Sequence, residues 1–126
     1  MIIVTGGAGF VGSNLVAALH AKGLHHIVVC DRLGSDERWH NLRNHEVAEI
    51  VAPEKIVEWM DAFLASGQKI EAIFHMGGIA STTEADVGLI VENNLTFGLK
   101  LWRWCTKNQI RFIYASSVAT YGGGEL

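Results

Sequence analysis

The 126-residue sequence is short of the features that mark several large protein classes. It has two cysteines, Cys30 and Cys105, and neither stands in a CxxC or a Cys/His cluster. That excludes a disulfide framework and the usual metal or redox motifs, so no metal ligand set is expected and both thiols are read as small buried hydrophobes in a reducing, cytoplasmic compartment. Lys and Arg total 10 against 13 Asp and Glu, a net charge of −3 with no basic stripe, which argues against a nucleic-acid partner. No stretch approaches the roughly 18 consecutive apolar residues of a membrane span. The N-terminus is apolar from its first residue and lacks the basic start and longer run of a signal peptide. There is one proline, Pro53, and no linker, repeat or low-complexity segment, so one domain is expected.

What is present is globular: 49% hydrophobic and 18% charged residues can build a core. Ile2–Val4 is a β-branched run read as a buried strand. Glycines follow at 6, 7, 9 and 12, then Val11, Leu15, Ala18 and Leu19 recur at helical spacing up to Lys22, with Gly23 placed to end that helix. Ile27–Cys30 reads as the second strand, Leu33–His45 as a polar, turn-like stretch with room for one short helix, and Val47–Val51 as a weaker third strand. Pro53 suits the first turn of a helix whose apolar face is Ile56, Val57, Met60, Phe63 and Leu64. Ile70–His75 is the fourth strand, Gly77 and Gly78 break it, and a long helix is predicted from about Val87 to Thr106. Phe112–Ala115 is the fifth strand. Strands alternating with helices predict an α/β Rossmann-type three-layer sandwich, with a parallel sheet of about five strands in the order 3-2-1-4-5.

The segment Thr5-Gly6-Gly7-Ala8-Gly9-Phe10-Val11-Gly12 carries glycines at 6, 9 and 12 between a predicted strand and a predicted helix. In that context the pattern is a dinucleotide-binding fingerprint. Gly6 permits the tight turn, Gly9 lets the backbone approach a pyrophosphate, and Gly12 lets the helix pack closely. The free N–H groups and the positive helix end then face the anion. Asp31 ends the second strand, where a carboxylate reaches adenosine ribose hydroxyls. Asp31 favours NAD, because a 2′-phosphate is repelled. Arg32 and Arg38 could pair with that phosphate and favour NADP. The residues leave this choice open.

At this point the chain resembles an extended short-chain dehydrogenase/reductase. Ile73–Gly78 followed by Ser81-Thr82-Thr83-Glu84, and Tyr114-Ala115-Ser116-Ser117-Val118-Ala119-Thr120-Tyr121-Gly122, together with Glu92-Asn93-Asn94, are similar to the ADP-L-glycero-D-manno-heptose 6-epimerase family. The resemblance implies NADP as cofactor, an ADP-heptose as substrate, inversion of one sugar carbon by transient oxidation, a role in lipopolysaccharide inner-core synthesis, and a homo-oligomer. By the same resemblance Phe10 and Val11 lie under the pyrophosphate, and Asp31, Arg32 and Arg38 hold the adenosine. Met76, Gly77, Gly78, Ile79 and Ala80 run along the cofactor, and Asn93 reaches it from the long helix. Ser117 is the implied catalytic hydrogen-bonding residue, and Ser81, Thr82, Thr83 and Glu84 face the substrate. His75 is read as a packing residue with one structural hydrogen bond. The family usually has an acidic residue where Met76 stands, and can supply a basic one where Pro53 stands.

The family's general acid/base is a tyrosine followed four residues later by lysine. Tyr114 is followed at that spacing by Val118, and Tyr121 by Glu125. The chain is therefore expected to be the N-terminal part of a longer enzyme, inactive by itself and weakly stable, with its fifth strand an open edge. Two alternatives stand beside this reading. One is another nucleotide-sugar epimerase, dehydratase or reductase of the superfamily, which Ser81–Glu84 argues against. The other is a non-catalytic dinucleotide-binding module.

Overall fold

A computed structural model of the chain describes residues 1–32, 34, 37–43, 45–78 and 86–116, with the side chains of residues 37–39 excepted. Five strands form one parallel sheet: β1 (Ile2–Thr5), β2 (Ile27–Cys30), β3 (Glu49–Val51), β4 (Ala72–His75) and β5 (Arg111–Tyr114). Their spatial order is β3-β2-β1-β4-β5, as the alternation of elements predicts. Helix α1 (Phe10–Ala21) crosses from β1 to β2, and α2 (Ile56–Ala65) from β3 to β4. The stretch before β5 holds α3 (Val87–Val91), a π-helical turn (Glu92–Thr96) and α4 (Phe97–Asn108). A short 3-10 helix (Glu37–Leu42) fills the β2–β3 connection, and a second one (Pro53–Lys55) leads into α2.

Strand alternation splits the core into two layers. On one face Ile2, Val4, Ile27 and Val29 pack with Val16 and Leu19 of α1. On the other, Ile3, Val28 and Ile73 meet Ile56 and Met60 of α2 and Leu101, Trp104 and Cys105 of α4. The Trp104 indole, buried here, donates to Asp61 Oδ1 at 2.8 Å and so ties α4 to α2. Gly23 and Gly67 both sit at positive φ just beyond the helices they end.

Element boundaries shift by up to two residues from the sequence expectation, as helix and strand ends commonly do. Two differences go further. Pro53 opens a separate 3-10 turn rather than the first turn of α2 itself. The long helix is also interrupted: its register changes through the π turn at Glu92–Thr96, which a 3.6-residue period does not reveal. On α4, Trp104 is buried while Trp102 is 54% exposed.

Candidate functional site

Strand register levels the site. Thr5 pairs with Cys30 on one side and His75 on the other, and His75 with Tyr114, so four strands end in one row. The residues just past those strand ends, Gly6, Asp31, Met76 and Ala115, therefore emerge together at one sheet edge. The strand order reverses between β1 and β4, and ligands of open α/β sheets bind in the crevice outside that point. A cleft of about 300 Å³ lies there, lined among others by Gly6, Gly9, Asp31, Arg32, Met76, Gly77, Gly78 and Asn93.

The floor of the cleft is backbone. Gly6 turns out of β1 at φ +66°, and a Cβ on it would stand 2.6–2.9 Å from backbone atoms of Met76 and Gly77. A Cβ on Gly12 would fall 2.1 Å from Gly6 O. Gly12 is thus required by the turn itself more than by contact of helix with strand. The N-cap of α1 is Gly9, with no side-chain cap, and no acidic residue stands in the first turn. The first N–H groups of α1 have no intrahelical acceptor, and no acidic side chain of the helix's own first turn offsets its positive end. Phe10 and Val11 are 83% and 61% exposed at that start. A bare helix N-terminus behind a turn that excludes Cβ atoms fits the diphosphate of a dinucleotide.

Ala8 is held from both sides. Its N–H donates to Asp31 Oδ2 at 2.9 Å, and its carbonyl accepts from Asn41 Nδ2 at 2.9 Å. Asp31 Oδ1 accepts from the Arg32 N–H at 2.8 Å. Each carboxylate oxygen has further lone-pair capacity, so Asp31 both braces the glycine turn and can receive ribose hydroxyls. Arg32 is exposed, and its guanidinium lies 3.5 Å from Glu54, next to Pro53 at the cleft rim. Asn93 donates to Leu89 O at 2.8 Å from the turn that follows α3.

The structure therefore gathers Gly6, Gly9, Asp31, Arg32, Met76, Gly77, Gly78 and Asn93 in one cleft, with Phe10, Val11 and Gly12 beside it. Ile79, Ala80, Ser81, Thr82, Thr83, Glu84 and Ser117 lie outside the described residues, as does the side chain of Arg38. Asn41 and Thr5 are the contributors that sequence reading missed. Asn41 stands 33 residues from its partner Ala8, with no local pattern to announce it. Thr5 was legible only as the start of the glycine motif.

Cys30 also lines the cleft, but burial, then the nearby Asp31 and Glu54 carboxylates, push its thiol up to about 12. Burial likewise raises Cys105, to about 11. Neither is a nucleophile near neutral pH. A larger hollow of about 650 Å³ lies between α4 and β5, lined by Leu95, Leu99, Trp102, Phe112 and Tyr114 among others. Among the described residues it presents no charged group, and the candidate chemistry belongs to the smaller cleft. Among the described residues, no three His, Cys, Asp or Glu are placed to hold a metal, and no helix is long and apolar enough to cross a membrane.

Comparison with known proteins agrees with this geometry. The family model described as the NAD dependent epimerase/dehydratase family matches residues 2–126. The chain is 40% identical, over its full length, to an ADP-L-glycero-D-manno-heptose-6-epimerase of Fusobacterium nucleatum, and spans 38% of that protein. A UDP-N-acetylglucosamine 4-epimerase from Methanobrevibacter ruminantium, solved with UDP-N-acetylmuramic acid, superposes with a TM-score of 0.72 at 32% identity, covering 99% of this chain and 41% of that one. The UDP-glucose 4-epimerase of Thermus thermophilus in complex with NAD superposes at 0.69 with 30% identity, covering 92% and 37%.

Proposed function

The chain belongs to the NAD dependent epimerase/dehydratase family, and from that membership we propose that it is the dinucleotide-binding part of an ADP-heptose 6-epimerase. The observation that carries this reading is the Cβ-excluding turn before the bare start of α1, with Asp31 bracing it. The substrate assignment is supported by the run Ser81-Thr82-Thr83-Glu84 and by the heptose-epimerase relative. In this proposal Gly6, Gly9, Phe10, Val11 and Gly12 hold the diphosphate. Asp31, Arg32 and Arg38 hold the adenosine, and Met76, Gly77, Gly78, Ile79, Ala80 and Asn93 line the path toward the nicotinamide. Ser81, Thr82, Thr83 and Glu84 face the sugar, and Ser117 orients its reacting hydroxyl.

The dinucleotide supplies a reversible hydride acceptor, through which a sugar carbon is oxidised and reduced again on its other face. NADP is the proposed cofactor, with Arg32 leaving Glu54 for the 2′-phosphate, because Arg–phosphate pairs are among the stronger charge-assisted hydrogen bonds. The observed Arg32–Glu54 pair and the Asp31 carboxylate favour NAD as the second reading. We also propose that these 126 residues bind dinucleotide without turning over an ADP-heptose. Neither Tyr114 nor Tyr121 is followed by a lysine four positions on.

Calorimetric titration with NADP and with NAD tests the reading. Saturable binding that Gly9→Val abolishes is expected, with NADP the tighter ligand. Tighter NAD binding would move the assignment to the second reading, and binding of neither by the folded chain would overturn both. Turnover of an ADP-heptose by the pure chain would overturn the inactivity.

A further inference from the structure

His75 ends β4, is 1% exposed, and has no part in the proposed cofactor contacts. Its ring lies among Phe97 of α4, with centroids 5.6 Å apart, and Phe112 and Tyr114 of β5, at 5.9 and 5.6 Å. Its Nδ1 is 2.6 Å from Thr5 Oγ1, while its Nε2 is buried with no partner. Gly98 makes room for that nitrogen, since a Cβ there would stand 3.2 Å from it. Thr5 is fully buried, and its Oγ1 also accepts the Gly77 N–H at 3.1 Å. Gly77 is the residue whose backbone closes on Gly6 across the cleft floor.

A hydroxyl has one hydrogen to give. Were His75 protonated on Nδ1, Thr5 Oγ1 would accept twice, and its hydrogen would have no acceptor among the described residues. The Nε2 lone pair would be unpaired as well. With the proton on Nε2, the Thr5 hydroxyl donates to Nδ1, and the only unmatched group among the described residues is the Nε2–H. Each unpaired buried polar group is destabilising, so the arrangement with fewer of them prevails. Burial also lowers the His75 pKa, which keeps the ring neutral.

We propose that His75 is a positioning residue for the cleft: as the Nε2–H tautomer it takes the Thr5 hydroxyl hydrogen, aims the Thr5 oxygen at the Gly77 N–H, and so seats the Gly77 turn against the Gly6 turn. Its consequence for cofactor binding rests on the dinucleotide reading; its geometry does not.

Nitrogen NMR of the full chain at neutral pH should show Nδ1 bare and Nε2 protonated, with the Gly77 amide slow to exchange. Thr5→Val, close to isosteric, should speed Gly77 exchange and weaken NADP binding about tenfold, the equivalent of one hydrogen bond. Thr5→Ser should restore both. His75→Phe keeps a ring against Phe97, Phe112 and Tyr114, and should have the effect of Thr5→Val with no added loss in the double variant. A proton on Nδ1, or folded Thr5→Val and His75→Phe chains with unchanged Gly77 exchange, would overturn the proposal. If the parent chain binds neither NADP nor NAD, the dinucleotide reading fails while Gly77 exchange still decides this one.

Discussion

Strands β1 and β5 are each four residues long and mostly apolar, yet all of β1 is buried while Arg111 and Tyr114 of β5 are exposed. The difference is one of position. β1 has a paired strand on each side and a core layer on each face, whereas β5 pairs only with β4 and is an edge of the sheet. Beside β5, Leu95, Leu99 and Trp102 also remain exposed. The end of β1 can therefore build a closely packed backbone cradle against its neighbouring strands, and the β5 side cannot do the same with the residues described. Rigid elements hold a preorganised site, and less covered ones leave more of their geometry to further contacts.

The contrast can be broken most sharply at Gly12. Gly12→Val places a side chain where even a Cβ is 2.1 Å from Gly6 O, and should cost about 4 kcal/mol in denaturant unfolding, with loss of dinucleotide binding. An unfolding midpoint equal to the parent's would mean that the turn is not the tight element described. Asp31→Ala removes the acceptor of the Ala8 N–H, and should cost about 2 kcal/mol and weaken either dinucleotide. Parent-like stability and binding in that variant would show that the carboxylate does not brace the turn.

The boundary between the two regions can be read by pH. His75 has a folded-state pKa below its ordinary 6.5, so the unfolded chain binds more protons as pH falls through that value. Its contribution to stability is present above about pH 6.5 and is lost on acidification. Tyr114 is the other titratable ring packed against it. The unfolding midpoint should fall from pH 7 to pH 5, and less steeply in His75→Phe; equal slopes would show that His75 is not its source. The smallest effect is expected on the open side: Trp102→Ser should change stability by no more than about 0.5 kcal/mol, against the larger loss on the β1 side. A cost above that would mean Trp102 is covered in solution.

Much of the fold was legible in the sequence, because its signals are local. A short β-branched run, a glycine turn, and apolar residues at helical spacing each depend on neighbours in the chain, and their alternation leaves few parallel topologies. The glycine cradle and Asp31 were legible for the same reason: backbone geometry demands particular residues at particular offsets. The π turn at Glu92–Thr96 was not, since it shifts the register of a helix whose side chains still read as helical.

Local pattern along the chain was enough to set the class of the sheet, the position of the cradle on it, and the acidic residue at the end of β2. It took the folded chain to bring Asp31 onto Ala8, to close the same turn with Asn41 from the β2–β3 connection, and to join His75 to Gly77 through Thr5. These bonds link residues 23 to 72 positions apart. Buried polar groups must find partners wherever the chain brings them, and no periodicity in sequence records which distant atom that is.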